Sequence, residues 1–172
     1  MASLKITRAV AARARIGRVD SRPLETPEAV LGDWYVTLTQ VDGRNAFVYM
    51  SERSLLSFLM LEGERVTPAK LFSSFIGGLL LTLETAGHSE QTRDRVLAEY
   101  AVGAIDRATD LSLLGSLTNV ALDYAAFIEH DGGLSRCNIS DVVMSINTRP
   151  AKRLGFDSPL EVTALLLRGV AT

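Results

Sequence analysis

The sequence predicts an α+β protein in which an antiparallel sheet of three to five strands, arranged as a meander, packs against a mainly helical C-terminal half. Two observations support this fold class. Residues 34–61 alternate β-branched or aromatic with polar side chains and are interrupted by turn residues, which is typical of consecutive antiparallel strands. Beyond residue 66, apolar side chains recur at helical spacing instead. No linker or internal repeat interrupts the pattern, so residues 1–172 are predicted to form a single domain.

The strands of the meander are predicted at residues 34–41, 44–50 and 54–61. Between the first two strands, Asp42-Gly43 is a dipeptide preferred in tight hairpin turns, because both residues tolerate positive φ. Ahead of the meander, residues 4–7 are predicted to form a short strand, and residues 8–15, which are rich in Ala and Arg, a brief helix. A further short strand is predicted at residues 102–105.

The helical half is divided by residues that are favoured as N-terminal caps. These residues are Thr67, Ser89, Asp110 and Ser158. Proline follows two of them at the first helical position, where a missing N–H costs nothing. Ser158 and Glu161 have the spacing of a capping box, and the last helix is predicted to turn Leu165 and Leu166 inward. Another helix is predicted at about residues 140–147.

Composition indicates a cytoplasmic protein. The single cysteine, Cys137, excludes an intrachain disulfide, which suits a reducing compartment. The longest apolar stretch, roughly residues 71–83, is shorter than the ~20 residues that span a bilayer. Arginines interrupt the N-terminal region, so it has no continuous apolar segment of the kind that a secretory signal requires. The same region is Arg-rich and acid-poor like an organellar transit peptide, but the strand at residues 4–7 favours a folded segment.

Charge is unevenly distributed along the chain although the formal net charge is only −2. Residues 1–22 carry six bases and one acid, and residues 149–172 carry four bases and two acids. The middle of the chain therefore holds eight bases and seventeen acids, a net charge of −9. A basic N-terminal segment followed by an acidic middle indicates one of two things. Either the basic segment binds an anionic partner, or it is neutralised by the acidic part of the same chain, which is the favoured interpretation.

No residue pattern predicts catalysis, a metal site or a cofactor. Cys137 follows Arg136, but a lone cysteine is more often a small buried side chain than a nucleophile. His130, between Glu129 and Asp131, is the one cluster of histidine with acids, and it lies at a predicted helix C-terminus. A histidine there interacts favourably with the helix dipole, so a structural role is favoured over metal binding.

Six residues are candidates for a binding site: Asp33, Trp34, Asn119, Asn147, Arg149 and Arg153. Trp34 begins a strand after a Gly-Asp turn and is either a core anchor, the favoured interpretation, or an exposed recognition residue. Asn119 is unfavourable in a helix interior unless its amide bonds to something. Asn147 is most simply a C-terminal helix cap. If several of these side chains meet in one cleft, a ligand or partner site becomes credible.

A series of short motifs occurs in order over most of the chain. These motifs are residues 31–35 (LGDWY), Asp42, Arg44, Ser51, Glu52, residues 114–119 (LGSLTN), Asn147, Pro150, Gly155 and Pro159. In them the chain resembles a family of uncharacterised small bacterial proteins that carry a domain of unknown function. No activity comes with this resemblance, which implies accessory proteins of bacteria and their mobile elements.

A second, local similarity concerns residues 147–162, which resemble the end of the catalytic core of integrase-type transposases. Those enzymes use three carboxylates on a ribonuclease-H-like sheet to hold two metal ions. Here the strand at residues 34–41 contains no acid, and Glu129 is the one acid of the long helix placed near the third ligand position. The similarity is therefore attributed to a shared helix–loop–capping-box arrangement.

These observations favour a non-enzymatic binding or regulatory protein that acts through a protein partner. An inhibitor or accessory factor in a bacterial defence, anti-defence or toxin–antitoxin setting fits this class, because an acidic surface can mimic phosphate charge. One alternative is a nucleic-acid-binding protein that uses the basic N-terminal and C-terminal segments. Another is an enzyme of unknown chemistry.

Overall fold

The structure, a computed structural model, describes residues 2–17 and 29–169. Within these residues a five-stranded sheet packs with six α-helices and one 3-10 turn. In chain order the elements are β1 (Ala2–Ile6), α1 (Arg8–Arg13), β2 (Trp34–Val41), β3 (Arg44–Ser51), β4 (Ser57–Leu61), α2 (Pro68–Thr85), α3 (Glu90–Glu99), β5 (Gly103–Arg107), α4 (Leu111–His130), α5 (Ile139–Asn147), the 3-10 turn (Lys152–Leu154) and α6 (Pro159–Arg168). The predicted α+β class is confirmed.

The sheet is mixed rather than antiparallel, with strand order β4-β3-β2-β1-β5. Strands β2, β3 and β4 form the predicted antiparallel meander, in which Trp34 lies opposite Ser51 and Met50 lies opposite Ser57. The prediction of an entirely antiparallel sheet is wrong, because β1 runs parallel to both of its neighbours, β2 and β5.

The parallel pairs follow from the connections. Two parallel strands need a crossover of a dozen or more residues, usually with a helix, whereas antiparallel neighbours need only a tight turn. The chain from Ile6 to Trp34 is long enough for such a crossover and contains α1. In the sequence, the order strand, helix, strand over residues 4–41 is the signal for a parallel pair. The hairpin that follows it predicts antiparallel pairing for β2 and β3 only.

Helices cover both faces of the sheet. On one face, Phe75 of α2 packs its ring against Trp34 of β2 and Tyr49 of β3, with centroid distances of 5.2 Å and 5.9 Å. Gly78, one turn later, lets α2 approach closely, because a Cβ at that position would lie 2.3 Å from the ring of Phe58. On the other face lies α4, whose Tyr124 hydroxyl is 3.0 Å from the Ser57 hydroxyl of β4, and α5 lies along the edge strand β4.

The helix starts agree with the sequence prediction. Each of the four predicted N-terminal caps accepts a hydrogen bond from a backbone N–H of the first helical turn, and Ser158 with Glu161 forms both halves of a capping box. The predicted orientation of α6 is wrong at Leu165, which is 58% exposed. Its buried stripe consists of Pro159, Thr163 and Leu167, which are four residues apart and so share one helix face.

The turn before β2 is joined to two other strands by Asp33. The backbone N–H of Ser3 donates to Asp33 Oδ1 at 2.8 Å, and Lys5 Nζ lies 3.3 Å from Asp33 Oδ2. The backbone N–H of Asp33 donates to Glu52 Oε1 at 3.0 Å, and the N–H of Glu52 donates to the Asp33 carbonyl at 3.0 Å. One residue thus ties β1 and the end of β3 to the start of β2.

Trp34 continues this arrangement into the core. Its side chain is fully buried, and the indole N–H donates to the Tyr100 hydroxyl at 2.9 Å. That hydroxyl donates in turn to the Gly32 carbonyl at 2.8 Å. Of the two interpretations of Trp34, the core anchor is the one that the structure shows.

We expect Asp33→Ala to lower the free energy of unfolding by about 3 kcal/mol, because it leaves Lys5 buried without its carboxylate. Asp94→Ala is the matched control: Asp94 lies exposed on α3, and a change of less than ~0.5 kcal/mol is expected there. Urea denaturation followed by circular dichroism measures both. Equal losses in the two variants would show that Asp33 is not a structural centre.

The four tyrosines should stay protonated at a pH where free tyrosine ionises. Burial, followed by the charges of Glu52, Asp110 and Asp33, raises the pKa of Tyr35 to about 12 from the ordinary 10.0. Burial also raises the pKa values of the other three, Tyr49, Tyr100 and Tyr124.

Because the folded state holds these protons more tightly, the associated stability is fully present below the unfolded pKa near 10.0 and is lost as the pH rises through the folded values. An ultraviolet titration should therefore show tyrosinate near 10.0 in denatured protein and none there in folded protein. Tyrosinate formation at the ordinary pKa by a protein with native circular dichroism would contradict this.

Candidate functional site on helix α4

Helix α4 has an apolar inward face and exposes two leucines on its outward face. The inward face packs on the sheet through the buried side chains Leu113, Leu117, Ala121, Tyr124 and Ile128. By length and composition α4 is also apolar enough to span a bilayer. This is weak evidence for a membrane span, because the core helices of soluble proteins meet the same criteria. The other large apolar side chains of α4 are partly buried and also pack against the core, except Leu111 and Leu122, which are exposed.

The outward face of α4 carries two strongly exposed leucines. Leu111 is 83% exposed and Leu122 is 62% exposed. They are eleven residues apart, three helical turns, and therefore lie on the same side of the helix about 16 Å apart. Between them lie Gly115, Thr118 and Asn119, which are also exposed. A Cβ at Gly115 would meet nothing within 4 Å, so this stretch of α4 is open to close approach. We call this outward face, Leu111 to Leu122, the α4 face.

A basic segment runs beside the α4 face. The Arg149 guanidinium lies 3.5 Å from Asp123 Oδ2 and 4.5 Å from the centroid of the Phe127 ring. Four residues later, Arg153 donates a hydrogen bond to the Ser112 hydroxyl near the start of the helix. The segment from Arg149 to Arg153 therefore follows α4 in the reverse direction and borders the α4 face.

The structure divides the six candidate residues into two groups. Asn119, Arg149 and Arg153 lie on or beside the α4 face, while Asp33, Trp34 and Asn147 are buried and do not join them. The six side chains therefore do not meet in one cleft. The sequence did not single out Leu111 and Leu122. The signal for them was the eleven-residue spacing of two leucines outside the inward stripe.

Asn147 connects α5 to the sheet. Its Oδ1 accepts from the backbone N–H of Ser57 at 2.9 Å, and its Nδ2 donates to the Ser57 carbonyl at 2.8 Å. A third bond runs from Nδ2 to the Val143 carbonyl of its own helix at 2.7 Å. The predicted role as a C-terminal cap accounts for this third bond alone, since the other two hold the edge strand β4.

Two bases of the N-terminal region are paired with acids of the body. Lys5 pairs with Asp33, and the Arg13 Nε donates to both carboxylate oxygens of Glu62 at 2.8 Å and 3.0 Å. The hydrogen bond from Arg13 lowers the pKa of Glu62 from its ordinary value. Arg18 and Arg22 of the basic block lie outside the described residues. These pairs favour the interpretation in which the N-terminus neutralises its own body.

The histidine and cysteine considered in the sequence analysis do not lie together in one site. His130 lies in the last turn of α4 and Cys137 is half-buried in the loop before α5. Across the described ranges, no group of three or more His, Cys, Asp or Glu side chains is placed to hold a metal ion. The polar groups around Asp33 bind one another, which is the arrangement of a structural network.

A comparison with protein families gives a match over residues 3–162, from β1 into the first turn of α6. The family is described as a domain of unknown function, DUF6933. The chain belongs to the DUF6933 family. This match confirms the resemblance to proteins that carry a domain of unknown function, while a bacterial origin stays a prediction. No curated protein matches the chain.

We expect Asn147→Ala to lower the free energy of unfolding by about 3 kcal/mol, because it leaves the buried N–H and carbonyl of Ser57 without partners. Asn119→Ala, on the exposed side of α4, is the control and should be neutral or slightly stabilising, since alanine is the better helix former. Urea denaturation of both variants measures the two changes in the free energy of unfolding. Comparable losses would mean that Asn119 has a structural role as well.

Proposed function

We propose that this DUF6933 protein is a non-enzymatic binding protein that acts through a protein partner, and that the partner docks on the α4 face. The observation that carries the proposal is the pair of exposed leucines, Leu111 and Leu122, on one side of a helix whose other side is already packed. Exposed apolar side chains that share one side of an element, with polar residues between and beside them, are a surface that a protein partner can cover.

The composition of the surface supports a protein partner. Burying a leucine side chain contributes about 1.5–3 kcal/mol, so Leu111 and Leu122 together supply a useful part of a binding free energy. Asn119 lies between the leucines, and Arg149 and Arg153 lie beside them, so polar groups that can hydrogen-bond to a partner accompany the apolar ones. Protein interfaces commonly combine a few apolar anchor side chains with hydrogen-bonding groups near them.

The biological setting of this binding stays a prediction from the sequence. An inhibitor or accessory factor in bacterial defence, anti-defence or toxin–antitoxin systems remains our proposal. The alternative, nucleic-acid binding through the basic segments, has less support because Lys5, Arg13 and Arg149 are each paired with an acid.

A pull-down that compares two leucine variants tests the proposal. Leu122→Arg places a charge on the α4 face, and Leu81→Arg places the same charge on α2, where Leu81 is 51% exposed on the other side of the sheet. We expect wild type and Leu81→Arg to retain the same protein from a lysate of the source cells. Leu122→Arg should reduce its recovery by at least about tenfold, which corresponds to ~1.4 kcal/mol.

The identity of what each of the three proteins retains distinguishes the remaining possibilities. A partner that is retained equally by all three proteins would overturn docking on the α4 face. Recovery of nucleic acid in place of a protein would support the alternative. Circular dichroism melting of each variant ensures that a loss of binding is not a loss of folding.

A further inference from the structure

A cleft of about 300 Å³ lies between β3, the end of β4 with the loop after it, and the first two turns of α2. Its inner wall is apolar and includes Phe47, Leu61 and Leu71, whereas Arg65, Lys70 and Ser74 line its polar side. Phe75 and Tyr49 place α2 on the face of the sheet opposite α4, so this cleft is separate from the α4 face. We propose that it binds a small organic anion, in which a phosphate or carboxylate is attached to a compact apolar group.

The positive charge of the cleft is not used by the protein itself. Arg65 and Lys70 are exposed, and neither forms an ion pair with any residue in the described ranges 2–17 and 29–169. The two acids of this loop, Glu62 and Glu64, are not among the residues that line the cleft, and Glu62 is paired with Arg13. Two uncommitted bases therefore border one concave surface in a part of the chain whose overall charge is strongly negative. Paired cations of this kind bind carboxylate and phosphate through charge-assisted hydrogen bonds.

Side chains, rather than the start of α2, supply the polar contacts. Pro68 has no N–H, and the N–H of Lys70 already donates to the Thr67 hydroxyl at 3.2 Å. The Ser73 hydroxyl donates to the Lys70 carbonyl at 3.2 Å. Ser74, half-buried one residue further, is the hydroxyl that lines the cleft without such an internal bond. The anionic group is thus expected to contact Arg65, Lys70 and Ser74.

The apolar wall restricts the rest of the ligand. Phe47 and Leu71 are buried core residues that line the cleft, and Leu61, which also lines it, is half-buried. Ligand pockets usually have volumes of ~300–1,000 Å³, so this cleft suits a molecule at the small end of the range. An aromatic or short aliphatic group with one anionic substituent can contact the apolar wall and the basic side of the cleft at once. An inorganic ion would leave the apolar wall uncovered.

Titration of the full-length protein with phenyl phosphate tests the proposal. Backbone amide resonances of Gly63, Ser73 and Ser74 should shift saturably, and more weakly with inorganic phosphate or with phenol. Arg65→Gln and Lys70→Gln should each raise the dissociation constant by about tenfold, the effect of losing one charge-assisted hydrogen bond. Lys152→Gln is the matched control, since it removes an exposed base from the 3-10 turn and should leave the affinity unchanged.

Three outcomes would overturn the proposal. They are the absence of a saturable shift, equal affinity of wild type and the Arg65→Gln/Lys70→Gln double variant, and equal affinity for inorganic phosphate and phenyl phosphate. Because Arg65 and Lys70 are exposed, their replacement should not affect folding, which thermal melting verifies. Leu122→Arg should bind phenyl phosphate as wild type does, so failure of the α4 proposal and failure of this one are distinguishable.

Discussion

The carboxylate and backbone of Asp33 join strands that come from distant parts of the chain. Ser3 and Lys5 of β1 bind its side chain, and Glu52 at the end of β3 binds its backbone. The same turn fixes the Trp34 indole, around which the aromatic core on the α2 side is packed. A buried carboxylate is unfavourable unless it is fully bonded, so this position tolerates few alternatives. The geometry of the sheet, and hence of both helical layers, depends on it.

The positions of the helices and strands were largely predictable because local signals set them. Asp42-Gly43 determines the hairpin, and caps such as Thr67 determine where helices begin. The direction of β1 is different in kind, since it depends on pairing with residues 34–36 and 103–107. No local pattern in a five-residue strand encodes such partners. The sequence therefore located the strands more reliably than it determined their arrangement.

The candidate site shows the same division. Asn119 and Asn147 look alike in sequence, as polar residues within helical runs, yet one is exposed and the other is buried against Ser57, ninety positions away along the chain. Only the fold separates a residue that is available to a partner from one that holds a strand. Leu111 and Leu122 illustrate the converse, because apolar residues are expected inside and their exposure becomes visible only once the inward face of α4 is known.

The place of β1 within the sheet has a consequence for the order of folding. This strand is near the N-terminus, yet it separates the meander from β5, which lies about a hundred residues later. The meander can assemble from neighbouring segments, whereas β1 gains its outer neighbour only when most of the chain is present. Such non-local pairing slows folding and leaves a strand edge exposed meanwhile. During synthesis, β1 emerges before the other strands of this sheet and yet is among the last of them to be completely enclosed.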